Sequence, residues 1–284
     1  DEELKEGIEY AHSRGKKVFI TVNVFPHNED LKGLEDYLKN LYEVKADAII
    51  VSDPAIIVTA KEVVPNLEMH LSTQANNVNW KSADFWYRQG MKRIVLAREL
   101  SFQEIKEIRE HLPEDCEIEA FVHGAMCMAV SGRCHLSAYL LGKSGNCGEC
   151  TQPCRWEWEL HGENGIVAAS LGKYLLSAKD LCMIGHIPEL LEAGISAFKV
   201  EGRLRDPGYL EMVSRCYREA IDACIEGNYT PEKIETWRRE LASVYNRGFS
   251  TGFYFGVPCL EGFSPEKDMN ASEKQRRAVG IIEN

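Results

Sequence analysis

The chain has 284 residues, of which 44% are hydrophobic and 27% are charged, as is typical of a folded globular protein. Its formal net charge of −11 argues against a broad basic surface for binding nucleic-acid phosphates, although it leaves room for a local basic pocket. No apolar run approaches the roughly 20 residues that span a bilayer, and the acidic residues 1–10 do not resemble a signal peptide. We therefore expect a cytoplasmic protein with no membrane partner, whose cysteines stay reduced.

Short apolar, β-branched runs alternate with amphipathic helical segments along most of the chain. Their continuous apolar character is typical of parallel strands that are buried on both faces. The predicted strands are 17–25, 48–53, 68–73, 93–99, 117–124 and 198–202. The clearest helices between them are predicted at 30–44, 80–89 and 101–111. The last of these begins with a capping box, in which Ser101 is the N-cap and Glu104 follows three residues later.

This alternation predicts an α/β fold with a parallel sheet and helices outside it. A repeat of about 20 to 25 residues favours a TIM-like (β/α) barrel over a Rossmann fold, and no glycine-rich dinucleotide motif follows a strand. Because fewer strands are found than a barrel contains, we expect an incomplete barrel that lacks its first strands. Those strands would have been trimmed, encoded elsewhere or supplied by a homologous partner subunit.

Three regions of the chain differ in pattern. Residues 1–205 are predicted to form the partial barrel, with an elaborated Cys-rich βα loop inserted at 125–180. Residues 206–258 are predicted to be a helical extension that packs on the barrel, with helices at 206–227 and 231–245. We expect residues 259–284 to link to a C-terminal domain absent from this chain, because 278–282 resembles the first strand of such a domain.

Polar residues follow the predicted strands at the end where barrels form their active sites. They are Asn23, Asp53, Gln74, Asn76, Arg98, Glu99, Glu119, His123, Glu201 and Arg203. Any single one could be a cap or an ion pair, but together they indicate a ligand site. We predict catalytic roles for Arg98, Glu119, His123 and Glu201. We predict cofactor-binding roles for Gln74, Asn76 and Arg203.

Glu119 and His123 share one face of a strand, because residues at an even spacing in a strand point the same way. They could form a general acid/base pair or orient a ligand. A structural histidine that is hydrogen-bonded to the glutamate remains an equal alternative.

Five of the ten cysteines lie within residues 123–155. They are Cys127, Cys134, Cys147, Cys150 and Cys154. Only one C-x2-C unit is present, and the spacing does not match ferredoxin motifs, so the pattern supports a thiolate site for zinc or iron–sulfur without choosing between them. A nucleophilic Cys127 assisted by His123 is the alternative. Cys182 is expected at the start of a helix, either as a further ligand or as a buried core residue.

Several blocks of this sequence together resemble the collagenase-like peptidase family, peptidase family U32. They are residues 69–80, 93–100, 119–140, 148–156, 177–182, 198–210 and 245–256. The resemblance covers nearly the whole chain in order, and the block E-x-F-x-H-G-x-x-C-x6-C is its most specific part. It implies a modified barrel followed by a small C-terminal domain.

The resemblance also implies two kinds of activity. The family was named for collagenolytic activity, which implies a peptidase acting on peptides or denatured collagen. Relatives act in oxygen-independent hydroxylation, including that of uridine in transfer RNA, with a [4Fe–4S] cluster on four cysteines and prephenate as the implicated oxygen source. By that resemblance the candidate ligands are five positions, of which one would be spare. These positions are Cys127, Cys134, Cys150, Cys154 and Cys182.

Overall fold

The computed structural model describes residues 2–163, 165–166, 172–264 and 271–272. The strands are β1 (Phe19–Val22), β2 (Ala48–Val51), β3 (Glu68–Leu71), β4 (Met91–Val95), β5 (Glu117–Gly124), β6 (His161–Gly162), β7 (Gly165–Ile166), β8 (Asp180–Cys182), β9 (Ala197–Val200) and β10 (Phe249–Ser250). The helices are α1 (Glu2–His12), α2 (Leu34–Glu43), α3 (Pro54–Val63), α4 (Trp80–Arg88), α5 (Phe102–His111), α6 (Leu136–Leu141), α7 (Ile187–Glu192), α8 (Pro207–Ile225) and α9 (Pro231–Ser243).

The chain divides into two compact units that are interleaved in sequence. The first comprises the described residues up to Ala120 together with Ala129–Thr151 and Ala193–Ala197. The second comprises Phe121–Met128, Gln152–Glu192 and the described residues from Phe198 onward. Strand β5 therefore begins in the first unit and ends in the second.

The first unit is built on a parallel sheet. Its strands are neighbours in the order β1, β2, β3, β4 and the first half of β5. Helices α2 to α5 connect consecutive strands, and all four residues of the central strand β2 are buried. Helix α5 begins with the predicted capping box, in which Ser101 and Glu104 each accept a hydrogen bond from the other's backbone N–H. A stack of short apolar strands that are separated by capped helices is the arrangement that the sequence pattern predicts.

The second unit contains a short mixed sheet and a helical hairpin. The end of β5 pairs with β8 in antiparallel orientation, so that His123 lies opposite Cys182. Strand β8 pairs in parallel with β10. Helices α8 and α9 pack against each other, with the Trp237 indole N–H donating to Glu219 at 2.9 Å. Strands β6 and β7 form a separate two-stranded hairpin.

The fold is a mixed α/β structure with a mostly parallel sheet, which confirms the coarse prediction. Each predicted strand overlaps an observed one, and the predicted helices contain α2, α4, α5, α8 and α9. The incomplete barrel and the domain boundaries stay predictions. The expected strand at 278–282 lies outside the described residues. In the part of the chain that the structure describes, no helix is both long enough and apolar enough to cross a membrane.

Two expectations were wrong. The sheet is not wholly parallel, because β8 runs antiparallel to β5. Cys182 does not begin a helix: it ends β8, and α7 starts only at Ile187. A three-residue strand is too short to show the alternation that distinguishes strand from helix, and its partner on β5 lies far away in sequence.

Candidate functional site

In the first unit, polar groups after β3 and β4 anchor the Cys-rich segment 129–151. Asn76 takes a left-handed backbone conformation (φ 57°) after the short 3₁₀ helix Thr73–Ala75, and its side-chain oxygen lies 2.9 Å from the Ser131 hydroxyl. Glu99 accepts a hydrogen bond from the Ser131 backbone N–H at 2.8 Å. Asn76 and Glu99, which were predicted to line a ligand site, therefore form hydrogen bonds with the inserted segment.

Gln74 makes a second attachment of the same segment. Its side-chain oxygen accepts a hydrogen bond from Asn146 at 3.1 Å, and its backbone carbonyl accepts one from the Arg133 guanidinium at 2.9 Å. Asn146 in turn accepts a hydrogen bond from the Phe25 backbone N–H at 2.6 Å. Arg98 is half-buried beyond the end of β4 in the same unit. The amides at the strand ends therefore position the loop that carries Cys134 and Cys150.

Gly145 lies beside the Cys150 side chain and the Cys134 backbone. A Cβ atom at Gly145 would lie 3.7 Å from the Cys150 sulfur and 3.9 Å from the Cys134 carbonyl oxygen. The Cys134 sulfur accepts a hydrogen bond from the Leu136 backbone N–H at 3.4 Å. Cys147 is exposed on the turn between them.

In the second unit, the buried Arg155 organises another pair of cysteines. Its guanidinium, only 3% exposed, donates to the carbonyl oxygens of Met126 and Ala178 at 2.5 Å each and to the Ser177 hydroxyl at 3.1 Å. The residue before it in sequence is Cys154, and the residue after Met126 is Cys127. One side chain therefore fixes the backbone on which both cysteines are carried.

The charge of Arg155 bears directly on these thiols. Burial lowers the pKa of the Arg155 guanidinium, and the nearby Arg247 lowers it further, whereas Cys154, Asp180 and Cys127 raise it. Cys127 and Cys154 thus lie close enough to the Arg155 guanidinium to interact with it electrostatically.

His123 is enclosed by aromatic side chains of the second unit. It is 2% exposed, its Nδ1 lies 3.4 Å from the Tyr217 hydroxyl, and its ring is 5.7 Å from that of Phe249. Tyr217 itself donates to the Val122 carbonyl at 2.7 Å. Burial lowers the pKa of His123 to about 3, so the imidazole is neutral at neutral pH.

Glu119, predicted to act with His123, lies in the first unit, and its carboxylate is 3.1 Å from Arg93. His123 and Glu119 therefore occupy different compact units, although they share one strand. A role for them as an acid/base pair stays a prediction.

Cys182 differs from the other candidate ligands in its surroundings. Burial raises the pKa of its thiol to about 11, although a hydrogen bond with Tyr217 partly opposes this. Since metals bind thiolates, this thiol would have to lose its proton before it could coordinate a metal.

Glu201 and Arg203, two further residues with predicted roles, follow β9. The Glu201 carboxylate accepts a hydrogen bond from the Arg203 backbone N–H at 3.3 Å. The Arg203 side chain is exposed.

The sequence analysis missed a buried ionic group in the second unit. Asp180, on β8, lies 3.3 Å from the Arg247 guanidinium, and both side chains are almost wholly buried. Arg247 also donates to the Gln152 side-chain oxygen at 3.0 Å. The sequence contained one signal for this group, an acidic residue directly before the apolar residues 181–184. Arg155 could have been noticed as the cation that directly follows the last clustered cysteine.

The metal prediction can be tested against these positions. No disulfide joins cysteines in the described part of the chain. Their thiols are therefore of the chemical type that soft metals bind. However, among the described residues no three His, Cys, Asp or Glu side chains group closely enough to hold a metal ion. The described residues therefore present no finished metal site, and we assign no chemical step to a cluster.

Proteins whose names refer to proteolysis or to tRNA hydroxylation are similar to this chain in sequence. A protein of Methanocaldococcus jannaschii named as an uncharacterized protease is 45% identical over 100% of this chain and 70% of its own length. A Bacillus subtilis protein named tRNA hydroxylation protein P1 is 44% identical over 92% of this chain and 62% of its own length. A Porphyromonas gingivalis protein named collagenase is 38% identical over 90% of this chain and 63% of its own length. The chain thus spans between 62% and 70% of the length of these relatives.

A solved structure of a U32 peptidase is also similar, with 19% identity and a TM-score of 0.38 over 44% of this chain and 53% of its own. The family model for peptidase family U32 matches residues 1–262, which is most of the sequence. The cysteine-bearing blocks, the parallel sheet and the helical hairpin all fall within this match. The chain belongs to peptidase family U32.

Proposed function

We propose that this protein is an RNA-modifying enzyme that takes part in oxygen-independent hydroxylation of uridine in transfer RNA. Relatives named for tRNA hydroxylation, at 36–44% identity, support this assignment. We further propose that it carries a [4Fe–4S] cluster on thiolates drawn from the five candidate cysteines, with zinc as the alternative metal and prephenate as co-substrate. A cytoplasmic location belongs to the same proposal.

The observation that carries the proposal is the position of Arg155 beside Cys127 and Cys154. Among the described residues this buried guanidinium has no carboxylate within ion-pair distance, and its hydrogen bonds go to neutral oxygens. The Cys154 thiol, the Asp180 carboxyl and the Cys127 thiol all raise the pKa of this guanidinium, so both cysteines lie close to one buried cation. Cysteine sulfurs placed near one buried cation are suited to coordinating a soft metal.

Metal analysis tests this proposal directly. The full chain, purified without oxygen, should contain about four iron and four sulfide ions per chain and should be brown. Cys127→Ser and Cys154→Ser should each lower the iron content strongly. Cys147→Ser, which changes an exposed cysteine in the same segment, is the matched control and should keep its iron. A colourless protein that contains zinc and no iron would contradict the cluster.

The RNA substrate needs a separate measurement. In cells that lack the endogenous hydroxylation protein, the full chain should restore 5-hydroxyuridine in digested transfer RNA, as measured by mass spectrometry. Cys127→Ser should fail to restore it, while Cys147→Ser should succeed. Iron binding without any such product would support a cluster-bearing scaffold instead of an enzyme.

A true peptidase is the second candidate, because relatives are named collagenase and protease. It would hydrolyse peptides or denatured collagen and would need an activated nucleophile or water. Hydrolysis of gelatin by highly purified protein, lost in Cys127→Ser, would support it. Unchanged hydrolysis in that variant and in His123→Ala would indicate a contaminating protease.

A further inference from the structure

Two arginines of the second unit lie against the same aromatic ring, that of Tyr245. Arg247 pairs with Asp180 at 3.3 Å, and both side chains are almost wholly buried. Arg205 is left without a charged partner at hydrogen-bond distance among the described residues.

The donors of Arg205 and Arg247 are incompletely used. Arg247 is 3% exposed, and its Nε has no hydrogen-bond partner in the described part of the protein. The half-buried Arg205 guanidinium makes no side-chain hydrogen bond there, and it stacks on Tyr245 at 4.0 Å from the ring centroid. Arg247 lies over the same ring at 5.2 Å. Tyr245 therefore holds both guanidiniums in place without satisfying their N–H groups.

Leaving such donors unpaired is costly, because a buried guanidinium loses hydration that only an acceptor can replace. Planar guanidiniums match oxyanions well, since two N–H groups can donate to two oxygens of one carboxylate or phosphate. Arg205 is partly accessible, whereas Arg247 is buried, so an anion would meet Arg205 first. The aromatic support limits the motion of both cations, which reduces the entropy lost on binding.

We propose that Arg205 and Arg247, held by Tyr245, form a binding site for a small oxyanion that carries a carboxylate or phosphate group. Neither arginine is a candidate metal ligand, and the site can be tested without iron or RNA, so it can fail while the proposed function stands.

Thermal unfolding of the full chain at constant ionic strength tests the site. Sodium phosphate and sodium acetate are each titrated in place of sodium chloride. At least one should raise the melting temperature in a saturable way, as expected when a ligand binds one site of the native state. Stabilisation by phosphate alone indicates a tetrahedral oxyanion, and stabilisation by acetate alone indicates a carboxylate. Stabilisation by both supports a general oxyanion site.

Substitutions connect the effect with the residue. Arg205→Gln should weaken binding by about tenfold or more, since it removes charge-assisted hydrogen bonds, and Arg205→Lys should restore part of it. Arg218→Gln is the matched control, because this exposed arginine of α8 pairs only with Asp222 along its own helix among the described residues. Isothermal titration calorimetry gives the affinities. The site does not exist if neither anion raises the melting temperature above that measured in sodium chloride. It also does not exist if Arg205→Gln binds the anion as tightly as the wild type and Arg218→Gln do.

Discussion

The buried neutral imidazole of His123 makes the stability of the protein depend on pH. Its pKa is about 3 in the folded state and about 6.5 in an unfolded chain. The folded state thus binds fewer protons than the unfolded state between these values. The stability that this group contributes is complete above pH 6.5 and is lost as the pH falls below it.

The size of the effect follows from the two pKa values. On lowering the pH from 8 to 5, the unfolded imidazole takes up a proton and the folded one does not, which costs about 2 kcal/mol of folding free energy. This figure depends little on the folded value, because pH 5 lies well above it. His70 is also buried with a lowered pKa, so the total change in the wild type exceeds the contribution of His123 alone.

Urea unfolding of the wild type and His123→Asn at pH 8 and pH 5 isolates the contribution. The wild type should lose about 2 kcal/mol more than the variant over this interval, because the His70 contribution cancels in the comparison. His161→Asn is the control, since this side chain is 61% exposed and stays in water in both states. Equal losses in the wild type and His123→Asn would refute the assignment of a buried neutral imidazole.

Three further substitutions test the packing and the caps. Gly124→Ala should lower the free energy of unfolding by at least about 2 kcal/mol in urea titrations, because its φ is +105° and a Cβ would lie 2.5 Å from the Glu201 carbonyl oxygen. Arg155→Met should cost about 3 kcal/mol by the same assay, because it leaves buried carbonyl oxygens without donors. Ser101→Ala should cost about 1 kcal/mol, measured by thermal unfolding, because it removes the N-cap bond to Glu104.

Matched variants separate these causes. Gly142 also has a positive φ (+68°) but nothing near its Cβ position, so Gly142→Ala should cost less than Gly124→Ala. Equal costs at the two glycines would show that the contact with Glu201 is unimportant. Ser101→Asp keeps a capping oxygen and should retain most of the stability. An Arg155→Met variant as stable as the wild type would mean that its hydrogen bonds are made by water instead.

Local signals in the sequence predicted the strands and helices of the first unit well. The run that became β2 is continuously apolar and rich in β-branched residues, and Ser101 with Glu104 specifies the start of α5 by contacts three residues apart. Such features depend on neighbours in sequence, so they can be read without the fold.

The candidate site was harder to predict because its contacts are non-local. Cys150 and Cys154 are four residues apart, yet they fall in different compact units. The strand that carries Cys182 has its partner at His123 on β5, and the Arg155 hydrogen bonds reach residues more than 20 positions away. Spacing between cysteines indicates metal chemistry, but it does not show which charges surround each thiol.

The hairpin of α8 and α9 also bears on the order in which the protein folds. Its internal contacts join residues that are close in sequence, such as Trp237 and Glu219, 18 positions apart. The bond from Tyr217 of the same hairpin to Val122 spans 95 positions. Closing the longer loop costs about 1.5 kcal/mol more in chain entropy. The hairpin should therefore form early, and the enclosure of His123 by Tyr217 should complete late, when the distant strands arrive.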